Sequence, residues 1–283
     1  MIMFRECRGF EELQACVDLQ VEVWGYSDGD VIPRRVFLVA QKIGGQVIGA
    51  FDEVEGVGDK GQGIAGGAFS MVGFALSLPG VKTGVQPGTG KPESYLHSHM
   101  LAVREGYRNQ RIGARLKLAQ REEALGRGIR RMEWTFDPLE IKNAFLNIHK
   151  LGAIVRSYSE NFYGVSSSRL QGGLQTDRLV AEWWIDSPRV RAAVAGRSSS
   201  EAAELQSGSE TESQVEIRVP AAIYAWKAED STRHLAARVQ AENRLRFQEA
   251  FAEGLAVVGF TRDAEGDGIF HLGRMEEPAG LNR

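Results

Sequence analysis

The sequence predicts an α/β (α+β) fold, and three observations carry that prediction. Residues 95–128 read as a strand-like run from Leu96 to Val103, a short turn rich in Gly, Arg and Asn, and a helix beginning near Arg111. Phe10, Leu13, Val17, Val21 and Trp24 recur at steps of three and four, which makes one apolar helical stripe. Short runs such as 46–54, 64–78, 129–136 and 179–185 read as strands, so helices and strands interleave along the chain.

Taken in order, residues 1–8 alternate loosely as a first strand and residues 10–24 form the helix just described. Pro33, a good first-turn residue, opens a second helix to about Lys42, and Gly44-Gly45 stops it. Strands 46–54 and 64–78 flank the turn GVGDKGQG. The stretch LPGVKTGVQPGTGKP contains Gly-Thr-Gly-Lys, but Val85 stands where a P-loop needs its first glycine and Pro92 replaces the magnesium-binding hydroxyl, so it reads as a surface loop. After the central helix and strand 129–136, Asp137-Pro138 starts a helix carrying Ile141, Ala144, Phe145, Ile148 and Leu151 on one side, which Gly152 ends. Strands 153–158 and 179–185 follow, joined by NFYGVSSSRLQGGLQTDR.

Residues 1–195 thus make a first domain. Residues 196–214 are poor in apolar residues and rich in Ser and Glu, a linker or mobile loop. Residues 215–283 read as a small β-α-β-β unit: strand 215–219, a helix over 231–253 with Leu235, Val239, Phe247, Ala250 and Phe251 inward, and strands 255–261 and 269–272 around an Asp-Gly turn. About 70 residues can just support a core, so this extension is expected to pack on the first domain or on a second copy, as a homodimer.

At 283 residues the chain is long enough to bury a proper core, and a net charge of −3 argues against a nucleic-acid partner. No run resembles a signal peptide or a membrane span, which predicts a cytoplasmic protein without a membrane partner. Cys7 and Cys16 lack CxxC spacing, so buried thiols are expected rather than a zinc site or a disulfide framework.

The turn before the central helix is suited to an anion. Unpaired N–H groups at a helix start, and the positive end of the helix dipole, favour negative charge; Arg108, Arg111 and Arg115 add to it. Arg108, Asn109, Gln110, Arg111, Ile112 and Gly113 resemble motif A of the GNAT superfamily of acyl-CoA N-acyltransferases, in which Arg or Gln, two residues, Gly, one residue and Gly or Ala wrap the CoA pyrophosphate. The pattern's first glycine is Arg111 here; its Cβ hinders close backbone approach, while its guanidinium is able to pair with phosphate. The segment AFLNIHKLGA resembles motif B: Lys150-Leu151-Gly152 fits, Ile148 stands where many members have the tyrosine that protonates the departing sulfur, and Ala153 replaces an aromatic residue. The resemblance covers about residues 1–186. It implies a GNAT fold, a central mixed, mostly antiparallel sheet flanked by helices. It also implies acetyl-CoA or another acyl-CoA as co-substrate, without a metal, its phosphates on the turn as far as Ala114 and its pantetheine along Leu101, Ala102 and Val103. Asn143 and Asn147, one turn apart, either bond the pantetheine amides, as helix Asn residues do in related enzymes, or face solvent.

Acyl transfer needs a base for the attacking amine. His97 and His99 share a strand face about 7 Å apart, and an imidazole of pKa about 6.5 takes a proton near neutrality; the alternatives are packed strand histidines, or a metal pair, for which no third ligand is evident. Tyr163 either replaces the missing acid or packs in an aromatic loop. Asp177 and Arg178 either clamp the ammonium and carboxylate of an amino acid or are a turn Asp and a surface Arg. The expected activity is transfer of an acetyl, or a larger acyl group such as succinyl, to a small-molecule amine. The alternative is a non-catalytic acyl-CoA binder of the same fold.

Overall fold

The structure, a computed structural model, describes residues 1–27, 29–54, 68–82, 92–164, 166–168, 171–196 and 215–275. The turn GVGDKGQG, residues 83–91 of the Gly-Thr-Gly-Lys loop and segment 197–214 lie outside the described residues, while residues 79–82, expected as loop, continue a strand. Two compact units make up the chain: Met1–Gly80 with Leu96–Ile129, and Val81–Tyr95 with Arg130–Arg283.

The first unit holds β1 (Ile2–Glu6), α1 (Gly9–Trp24), α2 (Arg34–Lys42), β2 (Gln46–Val54), most of β3 (Ala68–Lys82) and of β4 (Glu93–Val103), and α3 (Ile112–Gly126). Its strands lie in the order β1-β2-β3-β4, with β1 and β3 both antiparallel to β2. One apolar cluster joins Leu13, Cys16 and Leu19 of α1 and Phe37 of α2 to Phe74, Met100 and Ala102 of the sheet. The other joins Ile112 and Leu116 of α3 to Ile48, Ala50, Val72 and Ala75, with Leu101 and Val103 packed against it. The sheet is therefore sandwiched, and burial of both faces is the main favourable term holding this unit together.

The expected stripe on α1 is off by part of a turn: Phe10 is 61% and Val21 47% exposed, and the helix buries Leu13, Cys16, Leu19 and Gln20. Gln20 is tolerated inside because its amide is spent locally, accepting from Ile32 N at 2.8 Å and donating to Ile32 O at 3.0 Å. Cys7 and Cys16 are buried free thiols, as expected.

The second unit holds β5 (Arg131–Phe136), α4 (Ile141–Ala144) running into a π-helical stretch (Phe145–Lys150), β6 (Ile154–Ser159), β7 (Arg178–Trp184), α5 (Pro188–Val194), β8 (Val215–Val219), α6 (Ile223–Ala228), α7 (Arg233–Ala252), β9 (Ala256–Arg262) and β10 (Gly268–Gly273). Its strand order is β5-β7-β6-β9-β10-β8, and its registered pairs are antiparallel. The C-terminal strands join the rest through Val155 opposite Val257.

The helix expected at Asp137-Pro138 begins at Ile141, because Asp137 folds a turn of its own, its Oδ1 accepting from Leu139 N at 2.8 Å. Gly152, at φ +74°, closes it. Two short helices, α5 and α6, were not anticipated. On α7, Phe247 and Ala250 point inward as expected, but Ala236, Gln240 and Asn243 fill the rest of the buried arc. Among the described residues, no helix is long and apolar enough to cross a membrane.

Candidate active site

Two residues after the end of β4, a single 3-10 turn (Glu105–Tyr107) redirects the chain, and the backbone then takes left-handed conformations at Asn109 (φ 64°) and Arg111 (φ 60°). Arg111 is the N-cap of α3 and makes no side-chain capping bond. The first backbone bond into the helix is Arg115 N to Arg111 O, 3.0 Å, so the N–H groups of Ile112, Gly113 and Ala114 have no acceptor within the helix. Together with the dipole they make an end suited to an anion. A Cβ on Gly113 would meet only Leu101 Cδ2 at 3.5 Å, an ordinary contact, so packing does not demand glycine there. What its absent side chain leaves is open backbone.

The arginines divide. Arg108 is exposed beside this end, its Nε 3.4 Å from Val103 O. Arg115 turns away: its guanidinium lies 4.2 Å over the Phe4 ring and reaches Ile2 O. Arg111 occupies the left-handed position for which glycine is best suited, where a side chain costs about 1–2 kcal/mol.

β4 is not a regular strand. Ser98 bonds Lys117 and Gln120 of α3, yet Leu101 and Val103, an odd number of residues further on, also face α3, while Met100 and Ala102 face α1 and α2. Alternation with period 2 forbids this, so the pleat slips by one residue between Ser98 and Leu101. β3 carries a matching irregularity, where Gly73 and Met71 oppose Ala50 and Phe51. A Cβ on Gly73 would come within 2.8 Å of Ala102 O, so only glycine fits. His97 and His99 flank Ser98 with ring centroids 5.9 Å apart and planes tilted by 40°. Burial pushes the pKa of His99 below the ordinary histidine value, which leaves a neutral imidazole able to accept a proton at neutral pH.

The other predicted residues belong to the second unit. Asn143 is exposed, whereas Asn147, within the π-helical stretch, is buried, so the two do not act as one exposed pair. Ile148 is buried in apolar packing and has no proton to give. Tyr163 is 43% exposed, its hydroxyl 2.9 Å from Thr135 Oγ1 and its ring 5.3 Å beneath the Arg178 guanidinium. Arg178 also donates to Asp177 O at 2.7 Å and Gln171 Oε1 at 3.2 Å. Asp177 is fully buried. It accepts from Tyr158 Oη, from Asn161 N at 2.9 Å and from Arg244 Nε at 2.9 Å, so its carboxylate is already spent within the protein.

Sequence reasoning missed Lys117, Ser98 and Gln120, and also Arg244. Lys117 carried a faint signal, since it follows Leu116 on the arc that meets the sheet. Arg244 had none. Among the described residues, no group of three His, Cys, Asp or Glu is placed to hold a metal ion.

No protein-family model and no curated protein matches this sequence. Solved structures do. NAA60 of Arabidopsis thaliana, in complex with acetyl-CoA, is similar with a TM-score of 0.50 at 13% identity, over 66% of this chain and 99% of that one. The ribosomal-protein-S18-alanine N-acetyltransferase from Escherichia coli gives 0.44 at 13% identity, over 65% and 94%. A GNAT-family protein from Desulfovibrio desulfuricans gives 0.44 at 11% identity, over 65% and 99%. At such identities the likeness is one of fold. The order of elements from β1 to β7 and the similarity to NAA60 together give this chain the GNAT fold.

Proposed function

We propose that the chain is an acyl-CoA-dependent N-acyltransferase that moves an acetyl, or a larger acyl group such as succinyl, to the amine of a small molecule, amino acids among them. The observation that carries this reading is the uncapped start of α3, reached through left-handed backbone directly after the strand that bears His97 and His99. The N–H groups of Ile112, Gly113 and Ala114, with Arg108 and the Arg111 guanidinium, supply donors for the phosphates. The pantetheine then runs along Leu101, Ala102 and Val103.

The amine nitrogen attacks the thioester carbonyl carbon; as the N–C bond forms, the carbonyl electron pair becomes an oxyanion held by a backbone N–H of β4. His99, neutral at neutral pH, takes the proton that the nitrogen sheds, with His97 as the other base on the same strand. Collapse of the intermediate breaks the C–S bond and releases CoA. A thiol whose pKa resembles that of cysteine, about 8.5, departs as thiolate without an acid, so Ile148 in place of tyrosine costs only modest rate. The acceptor ammonium finds no free carboxylate at Asp177.

Thermal shift with acetyl-CoA and succinyl-CoA tests the binding half: saturable stabilisation is expected, about 2.7 kcal/mol at a hundredfold excess over Kd, and weaker in Arg108→Ala. A thiol-release screen across small amines tests the chemistry, with His99→Ala expected to keep CoA affinity and lose about a hundredfold or more in kcat. The buried Ile148 favours a second reading, a non-catalytic acyl-CoA binder. Saturable binding without thiol release for any amine would establish it.

A further inference from the structure

We infer that Ser98, Lys117 and Gln120 form a buried positioning device that holds the slipped segment of β4 against α3, and so sets His97 and His99 relative to the phosphate-binding end of the same helix. This rests on the acyltransferase reading above. All three side chains are at least nine-tenths buried. Lys117 Nζ donates to Ser98 Oγ at 2.7 Å, and Ser98 Oγ donates to Gln120 Oε1 at 2.9 Å. Ser98 lies between the two histidines, and the slip follows it at once. Lys117 is about one turn along α3 from the uncapped N–H groups. One short helix therefore grips the cofactor's anionic end with its first turn and the histidine-bearing strand with its second.

Packing alone does not call for these residues. Burial pushes the Lys117 pKa well below its ordinary value, and Gln120 Nε2 has no hydrogen-bond partner among the described residues, so apolar side chains would fill the same space at lower cost. What apolar side chains do not supply is register. A leucine or methionine packs against β4 equally well on either side of a one-residue slip, whereas a hydroxyl bonded from two sides has one position. Buried polar groups that fix register at the expense of stability are the best attested use of such groups.

Lys117→Met keeps the length and removes the bond; Ser98→Ala removes it with the smaller change, should the first variant fold poorly. Three readouts on the full chain test the idea: the dissociation constant for acetyl-CoA, the imidazole proton signals of His97 and His99 across pH, and kcat with the amine found by thiol release. For Lys117→Met the expected result is unchanged acetyl-CoA affinity and a melting temperature no lower than wild type; Ser98→Ala, which leaves Lys117 and Gln120 without the hydroxyl, should keep the affinity and melt lower. The His99 titration should shift toward the ordinary histidine value, and kcat should fall about tenfold to a hundredfold without a matching rise in KM. Unchanged histidine signals and kcat would overturn the inference, as would affinity, melting temperature and kcat all falling together, since that is loss of ordinary packing. Failure of wild type to bind acetyl-CoA at all would instead sink the acyltransferase reading, and the histidine titration would still decide whether the device positions those rings.

Discussion

The start of α3 and the loop entering β7 hold similar polar chemistry in opposite states. At Ile112, Gly113 and Ala114 the donors have no acceptor in the helix and no side chain caps them. At Asp177 the acceptors are used up: Tyr158, Asn161 and Arg244 all donate to one fully buried carboxylate, and Arg244 also binds Glu160 and Gln175. Polar capacity left unspent at a helix end is available to a ligand; capacity spent on a buried partner is available only to the fold. The difference lies in partners rather than residue types, because a carboxylate beside an arginine is ligand-binding chemistry wherever nothing else has claimed it.

The largest effect that sharpens this contrast is at the spent end. Asp177→Ala strands Arg244 and the Tyr158 hydroxyl, and is expected to cost about 3 kcal/mol in urea unfolding while leaving acetyl-CoA affinity intact. A variant that stays stable but loses affinity for an amino-acid acceptor would break the contrast and restore Asp177 as a substrate clamp. Next comes His99, buried but not spent. Its native pKa lies below about 6.5, so kcat/KM should be flat at and above neutrality and fall as pH drops through that lowered value. The stability sign is the same. Above about 6.5 both folded and unfolded forms are neutral; below it the unfolded chain takes the proton first, so stability declines from there down to the native pKa, and His99→Gln should remove that decline. At the unspent end, Arg108→Ala should weaken acetyl-CoA binding by about tenfold, with a shallower salt dependence than wild type. Titration calorimetry at two salt concentrations checks both.

Much of the fold was legible because periodicity survives wherever one face of an element is apolar. The strands and helices from β1 to β7 follow it, and the helix start at residue 111 was visible from its turn chemistry. Two of the illegible parts share a cause: a polar residue made inward-facing by a partner elsewhere in the chain. Gln20 sits in the core of the first unit because Ile32 supplies its hydrogen bonds, which moved the buried arc of α1 away from Phe10 and Val21. Asp177 is claimed by Arg244, 67 residues later. The slip in β4 is hidden for another reason, since buried residues still alternate along it and only their partners on α3 or on α1 and α2 reveal the change of side. The start of α5 was legible but unread: Ser187 caps Val190 N at 3.3 Å and Pro188 takes the first helical position.

The smallest expected effect bears most directly on why the unspent end stays open. Arg111 holds a left-handed conformation at φ 60°, and a side chain there costs about 1–2 kcal/mol that glycine would not. Its guanidinium offsets that cost only when an anion is bound, because it makes no capping bond to the helix. Arg111→Gly should therefore stabilise the free protein by about 1 kcal/mol, the backbone relief being partly offset by the looser unfolded chain. The same change brings the backbone closer to the phosphates while removing a charge, so acetyl-CoA affinity should change little and its salt dependence should weaken. Arg111→Ala separates the two contributions: it keeps the left-handed cost and loses the charge, so it should bind acetyl-CoA more weakly than either wild type or the glycine variant. If alanine and glycine prove equal in both stability and affinity, the left-handed turn is not what shapes the anion-binding end, and the guanidinium alone must account for the arginine at this position.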